Sequence, residues 1–396
     1  MAQSENSNQN KKFLSFATGT EWVTWVVADG SDAPARAEAD NRRQKLEQLL
    51  TEVVLSENLV VLSGLGATIC LNKSTGQKIA PTMSDLWMAA SQKAGDQFDN
   101  VKTKVNYVTP AEGDNIEALL SQCQLSEQLQ PAKDVADFIT NTEAIIVEKC
   151  RFVNEKTDLT MHEAFLRKVA RRSTRQPRTK VFTTNYDLCF ETAASHTGFI
   201  VVDGFSHTQP QEFDGSYFAY DFVRREPDRE IPDYISNVFH MYKIHGSVDW
   251  ELRDSQIVKS RSPAKPLIIY PRNTKFEASY EQPFIEMMSR FQLSLRQPNT
   301  GLLIVGFGFN DRHISQPIMS AVRSNVNLKA VVVDPALAGT SKEPVKEIEN
   351  LIRKGDSRLV LLAGGFEDLV LILPDLVAAT EDEQHRSRLR GVRESK

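Results

Sequence analysis

The chain has 396 residues, 41% of them hydrophobic and 25% charged, and a formal net charge of −5. That composition is globular, offers nucleic acid no global basic field, and contains no apolar run near the roughly 20 residues of a membrane span. The length allows one large domain with insertions or two smaller ones.

Residues 1 to about 12 are polar and are expected to be disordered. They lack the basic and apolar regions of a signal peptide, so a cytoplasmic location is expected. Phe13 to Val27 is aromatic and β-branched, which reads as a strand or docking segment. Ala35 to Leu55 reads as a helix, with Leu46, Leu49, Leu50 and Val53 at helical spacing. Residues 1–54 form an N-terminal extension that either contacts other subunits or packs on its own domain.

Asn58 to Ser63 is a continuous apolar run followed by Gly64-Leu-Gly66-Ala67-Thr68, the pattern of a buried parallel strand feeding a glycine turn and a helix. Pro81 to Arg172 is mainly helical, with segments around Ala136–Phe152 and His162–Val169. Strand signals resume at Val181-Phe182, Phe199–Val202, Met241–Ile244, Pro266–Tyr270, Leu302–Val305, Lys329–Val333 and Leu359–Leu362. Helix-length segments at Phe284–Arg296 and His313–Asn325 lie between several of them. Arg253 to Lys265 reads as a polar loop, and Thr380 to Lys396 as a charged, solvated or partner-facing tail.

This alternation predicts an α/β fold: a Rossmann-like, doubly wound, mainly parallel sheet with an inserted helical subdomain and no zinc module. The expected layout is an extension at 1–54, the main domain at 55–375 with its helical insertion at about 80–175, and a tail at 376–396. Cys70, Cys123, Cys150 and Cys189 are widely spaced and form no CxxC pair, so packing roles in a reducing compartment are expected.

Four strand ends carry the residues of interest. Gly64, Gly66, Ala67 and Thr68 suit a close backbone approach to a pyrophosphate or a plain tight turn. A third glycine of that fingerprint is missing, because Ile69 stands there. Thr184-Asn185-Tyr186-Asp187 closes the strand around Val181. Lys243-Ile-His245-Gly246-Ser247 offers an imidazole, a general base at neutral pH, or else a packed histidine. Gly306-Phe307-Gly308-Phe309-Asn310-Asp311 is a second glycine turn, where Asp311 reads as a helix cap and His313 as structural. Asp334 before Pro335 either accepts from a ribose hydroxyl or is a turn residue.

Together, Gly64–Thr68, Thr184–Asp187, His245-Gly246 and Gly306–Gly308 resemble the sirtuin pattern. The form is similar to that of bacterial sirtuin-like proteins of anti-phage defence, many of which are NAD hydrolases and one group of which works with a HerA-type ATPase. The resemblance covers roughly residues 55 to 365. It implies NAD as substrate, with Asn185 holding the nicotinamide ribose or attacking water and His245 acting as base. Tyr186, Asp187 and Gly246 would lie at the nicotinamide side. Gly64, Gly66, Ala67 and Thr68 would cradle the pyrophosphate, and Gly306, Phe307, Gly308 and Asp334 would lie along the adenosine half. It also implies a regulated homo-oligomer and a HerA-type ATPase partner, without direct nucleic-acid or membrane contact.

The departures favour water as acceptor. The zinc cysteine pairs of deacylating sirtuins are absent, as is their Pro-Asp-Phe-Arg segment after the first loop, and no zinc is expected. Asn185 and His245 stand 60 positions apart (245 minus 185), wide for a deacylase. NAD hydrolysis is therefore expected, with protein deacylation or a non-catalytic nucleotide-binding assembly role as alternatives.

Overall fold

The computed structural model describes residues 11–19, 21–26, 32–76, 78–110, 113–225, 233–270 and 281–376. The tail from Thr380, Val27 and the first ten residues lie outside this set. The described strands are β1 (Lys12–Ser15), β2 (Val23–Thr24), β3 (Asn58–Ser63), β4 (Lys180–Thr183), β5 (Ile200–Val202), β6 (Val223–Arg224), β7 (Asp233–Tyr234), β8 (Val238–Lys243), β9 (Trp250–Arg253), β10 (Gln256–Lys259), β11 (Thr300–Val305), β12 (Lys329–Val333) and β13 (Leu359–Ala363).

Nine of these make one sheet in the order β2-β1-β13-β12-β11-β3-β4-β8-β5. The seven strands from β13 to β5 run parallel, and β1 and β2 add an antiparallel edge. The chain leaves β3 toward β4 and β8, then returns to β11 and continues away through β12 and β13. This is the doubly wound arrangement, with its switch point between β3 and β11.

Strand β3 shows why the sheet is central. All six of its positions are buried, and each apolar side chain contributes about 1.5–3 kcal/mol of burial. Leu59 and Val61 enter one core and Val60 and Leu62 the other, because successive side chains of a strand point to opposite faces. The first core is closed by helices Ala33–Val54, Gly66–Thr75, Thr160–Val169, Cys189–Thr197 and Phe366–Ile372; the second by Phe284–Arg296, Arg312–Ser324 and Glu343–Arg353. The N-terminal segment packs on its own domain: Phe13, Leu46, Leu50 and Val53 are core residues.

A third cluster joins helices Met83–Ala94, Gln97–Lys104, Ile116–Leu129 and Lys133–Cys150 around Leu86, Phe98, Ile116, Leu120 and Phe138. Ile268 and Tyr270 belong to it, and Tyr186 packs against it. The helical layer is thereby tied to the carboxyl end of the sheet.

Two expectations need correction. Pro266–Tyr270 is not a sheet strand. It runs beside residues 245–250, joined by an isolated bridge between Gly246 and Ile268 and by the Ile269 amide donating to the His245 carbonyl. Ile268 and Tyr270 enter the helical cluster while Leu267 packs against the second core, and burial on both sides is what made it read as a buried strand. The polar stretch from Arg253 also holds structure, since β9 and β10 form an antiparallel hairpin. Asp254 and Ser255 take positive φ at its tip, the turn geometry that matches strand twist but is usually built from asparagine and glycine.

Buried His162 gives the fold an acid sensitivity. Its ring lies among Phe190 and Phe366, and neither nitrogen has a hydrogen-bond partner among the described residues. Burial lowers its pKa to about 4, and burial likewise lowers that of His240 to about 4. An unfolded histidine titrates near 6.5, so between those values the unfolded chain binds more protons and stability falls as pH drops. His162 alone should cost about 2 kcal/mol between pH 7 and pH 5. Urea unfolding of His162→Leu should show that much less difference between the two pH values.

Candidate functional site

Register brings the two central side chains together. In the β4–β8 pairing, Thr183 lies beside Lys243. Asn185 and His245 each follow two residues later, so the 60-residue offset between them is the offset of the strand pair itself (243 minus 183). The Ile244 amide donates to the Thr183 carbonyl at 2.9 Å and continues the ladder one step beyond the strands. The intervening residues form helix Cys189–Thr197, edge strand β5, the short 3-10 helix Gly215–Ala219 and the β6–β7 pair.

A cavity of about 120 Å³ opens at these strand ends, lined by Leu65, Thr68, Thr184–Asp187, His245 and Asp311 from the sheet side. Pro81, Met83, Leu86, Cys150 and Phe152 close it from the helical side. Sequence reasoning missed this second wall. Its apolar residues carry ordinary helix periodicity and no motif.

Hydrogen bonds fix the polarity of Asn185. Its Nδ2 donates to the Gly64 carbonyl at 3.1 Å and to Thr68 Oγ1 at 2.8 Å. A backbone carbonyl can only accept, so the amide orientation is determined. Both amide protons are thus used inside the protein, and Oδ1 is the atom Asn185 can turn to a ligand, as an acceptor.

Thr68 Oγ1 in turn donates to Asp187 Oδ2 at 3.0 Å, and Asp187 Oδ1 accepts from the Cys189 amide at 3.0 Å. Asp187 therefore works inward: it starts the helix at Cys189 and orients Thr68, which orients Asn185. Thr68→Val keeps the shape but removes the hydroxyl, leaving buried polar groups without partners. It should destabilise the protein by about 1–3 kcal/mol and lower turnover at the site, whereas Thr68→Ser should restore both in unfolding and activity assays.

Lys243, also missed, holds the same turn from below. It is 2% exposed, and its Nζ donates to the carbonyls of Tyr186 and Asp187 and to Glu191 Oε1 at 2.9 Å. Burial raises the Glu191 pKa, an effect that the Lys243 charge opposes. Tyr186 donates its hydroxyl to the Ile269 carbonyl at 2.6 Å. Burial holds that phenol well above its ordinary pKa, so it stays a donor. Gly246 has φ +84, and a Cβ there would lie 2.2 Å from the Leu267 carbonyl oxygen. Only glycine lets the chain turn directly after His245.

The glycine turns behave differently from a phosphate cradle. A Cβ on Gly64 or Gly66 would meet Gly306 backbone at 2.6 and 2.5 Å, and one on Gly306 would lie 2.4 Å from Gly66 Cα. These three residues form one backbone-to-backbone contact at the switch point. The amides of Gly64, Gly66, Ala67 and Thr68 donate to Val305, Gly306, Gly64 and Leu65, so a pyrophosphate could use them only by displacing those bonds.

Phe307 packs into the second core. Gly308 accepts from Lys342 Nζ, and Asp334 accepts from the Ala336 amide at 2.8 Å. Burial raises the Asp334 pKa. None of Gly306, Phe307, Gly308 and Asp334 lines the cavity. Asp311 opens helix Arg312–Ser324 without a side-chain cap bond and faces the cavity instead. His313 reaches His245, with 3.0 Å between their Nε2 atoms.

The donor set does not fit zinc. None of the four cysteines is in a disulfide; they lie in or at the ends of four different helices, and burial pushes the thiols of Cys123 and Cys150 up to about 12. A zinc ligand must be a thiolate. Among the described residues no group of three or more His, Cys, Asp and Glu side chains could hold a metal. Among them, too, no helix is long and apolar enough to cross a membrane.

Residues 179–351 match the family model of a SIR2-like domain. That segment contains Asn185 just past β4, His245 just past β8, the glycine turn at Gly306–Gly308 and Asp334; the turn after β3 lies outside it and is brought in by the fold. No curated protein gives a match. Similar solved structures, each covering 87% of this chain, include a point mutant of a Sir2 homologue with ADP ribose (12% identity, 98% of that chain, TM-score 0.38). Two others are a Sir2 homologue with NAD (14%, 94%, 0.36) and a triple mutant of Sir2 homologues with 2′-O-acetyl ADP ribose (13%, 97%, 0.33).

Proposed function

We propose that this protein is an NAD glycohydrolase that releases nicotinamide and ADP-ribose. One observation carries the reading: an acceptor-only asparagine and a buried histidine stand side by side, by strand register, on the wall of a ring-sized cavity. The cavity is smaller than the roughly 300–1,000 Å³ of a site enclosing a whole drug-sized ligand. It suits one ring of a dinucleotide, with the remainder lying outside it.

In the reaction, the bond from ribose C1′ to the nicotinamide nitrogen breaks and its electron pair neutralises the pyridinium. The ribose gains oxocarbenium character, as in glycoside cleavage. Water adds at C1′ and its proton passes to His245. Asn185 Oδ1 holds that water or a ribose hydroxyl as acceptor, and the apolar wall of Met83, Leu86 and Phe152 excludes bulk water. The leaving group departs neutral, so no strong acid is needed.

Deacylation is the weaker reading, because neither the sequence nor the cysteine positions offer the zinc site that the deacylating sirtuins carry. A non-catalytic assembly role is the other. We further infer, from the resemblance of the motifs, a cytoplasmic NAD-depleting effector of anti-phage defence, held inactive in a homo-oligomer and paired with a HerA-type ATPase. Contact with nucleic acid would then run through that partner. The test is incubation of the protein with NAD, alone and with such an ATPase, followed by product analysis. Nicotinamide with ADP-ribose supports hydrolysis; tight NAD binding without consumption supports the assembly role; NAD loss coupled to turnover of an acetylated peptide supports deacylation.

A further inference from the structure

The turn that carries Asn185 rests on a buried ion cluster. Lys243 Nζ donates to the carbonyl of Tyr186 at 3.3 Å, to that of Asp187, and to Glu191 Oε1 at 2.9 Å. Three bonds use every proton of an ammonium, whereas a neutral amine would leave one unmade. The two carbonyls lie one and two residues past Asn185, in a segment that lines the cavity. Glu191, in the first turn of helix Cys189–Thr197, supplies the opposite charge. A second pair stands behind it: Lys259 of β10 bonds Asp203, and Asp249 acts on both Glu191 and Lys259. Three carboxylates therefore face two ammonium groups. The excess is visible in the hydrogen bonds, because Glu191 Oε2 and Asp249 Oδ1 are both buried without a partner among the described residues.

We propose that Glu191 is a positioning residue of the site: its carboxylate holds the Lys243 ammonium beneath the turn, and Lys243, through the Tyr186 and Asp187 carbonyls, sets the direction in which Asn185 offers Oδ1. Asn185 is then clamped at two points. Gly64 and Thr68 hold its amide nitrogen, and Lys243 holds the backbone that follows. The clamp depends on charge, since an ammonium that is 2% exposed is costly to keep without its anion. Burial raises the Glu191 pKa, Lys243 opposes that shift and Asp249 adds to it. The charged groups facing Glu191 are Lys243 from β8, Asp249 from the turn before β9 and Lys259 from β10, with the thiol of Cys189 on its own helix. Protonation of Glu191 leaves Lys243 with a neutral acceptor, so the turn loosens as the pH falls.

This role rests on the NAD hydrolase reading, and the test separates the two. Glu191→Gln keeps an oxygen that can accept from Lys243 and removes only the charge. At pH 8 its kcat for nicotinamide release should fall about ten- to a hundredfold, the range that a misplacement of about 1 Å spans, while KM for NAD changes little. Between pH 8 and pH 5 the ratio of wild-type to Glu191→Gln kcat should shrink, because protonation gives the wild type an uncharged side chain too. His245 titrates in both proteins and cancels from the ratio. An unchanged kcat at pH 8, or a ratio constant over that range, would overturn the proposal. The double variant Lys243→Met/Glu191→Gln removes both charges, which buried pairs often tolerate, and should fold. Its kcat should nevertheless stay about tenfold or more below wild type, because the two carbonyls have lost their donor; wild-type turnover there would equally overturn it. The side-chain amide signal of Asn185 gives a readout independent of turnover. Glu191→Gln should displace it at pH 8, and a signal coincident with wild type would also overturn the proposal. Should the wild type consume no NAD, the functional reading fails and that signal still decides the role of Glu191.

Discussion

Nicotinamide release from NAD should fall by about 10²–10⁴-fold in His245→Ala, the range that removal of a positioned acid–base group spans. The fold should survive, because His245 lies just past the end of β8 and the substitution keeps its backbone carbonyl, which accepts from the Ile269 amide. Asn185→Ala should abolish release to a similar degree, and here the hydrogen-bond polarity sharpens the expectation. Asn185→Asp is nearly isosteric, yet it places a carboxylate oxygen against the Gly64 carbonyl where Nδ2 now donates. The side chain must rotate away or expel the loop, so Asn185→Asp should be as inactive as Asn185→Ala and less stable. Steady-state nicotinamide release with urea unfolding of all three proteins checks both halves. Full activity in Asn185→Ala and His245→Ala would end the hydrolase mechanism.

The sheet was legible because burial on both faces leaves a compositional trace. Asn58–Ser63, Leu302–Val305 and Lys329–Val333 are short apolar runs with no polar alternation, and all three are central parallel strands. Asn185 and His245 were legible as polar residues just past such runs. What joins them is register, and register is written in backbone pairing rather than in any local string. The work of Lys243 was hidden for a related reason: a lysine inside an apolar strand looks like an edge or an error until the two carbonyls beneath Asn185 are seen to accept from it. His313 read as structural because nothing local says which strand end lies across from it. The hairpin at Trp250–Lys259 escaped because its positive-φ residues are Asp254 and Ser255. The glycines of the first turn were the most ambiguous signal. A residue without a side chain marks a close approach, and sequence does not say whether the approaching group is a phosphate or another turn of the same chain.

That ambiguity predicts a distinct result at Gly306. If its glycine served a ligand, Gly306→Ala would raise KM for NAD and leave the fold alone. In this structure Gly306 has φ +61, and an added Cβ would lie 2.4 Å from Gly66 Cα and 2.6 Å from the Ala67 amide nitrogen. Both are backbone atoms of the turn that follows the central strand, so neither can swing aside. Holding alanine at such a φ costs about 1–3 kcal/mol, and forcing carbon into a filled space adds about 1–3 kcal/mol. The sum is a large part of a typical domain stability of roughly 5–15 kcal/mol. Gly306→Ala should therefore express poorly or unfold at much lower urea. Two other glycines separate the causes. Gly339 has φ +85 with nothing within 4 Å of an added Cβ, so Gly339→Ala should show the backbone cost alone. Gly308→Ala would meet only the ends of two side chains, Lys342 Nζ at 3.2 Å and Asn310 Nδ2 at 3.7 Å, and should fold normally. An increase in KM for NAD in Gly308→Ala, beside a collapse in Gly306→Ala, would assign the contact with the dinucleotide to the outer end of the turn. The inner end would then be the clasp that keeps β3 and β11 together at the point where the sheet changes direction.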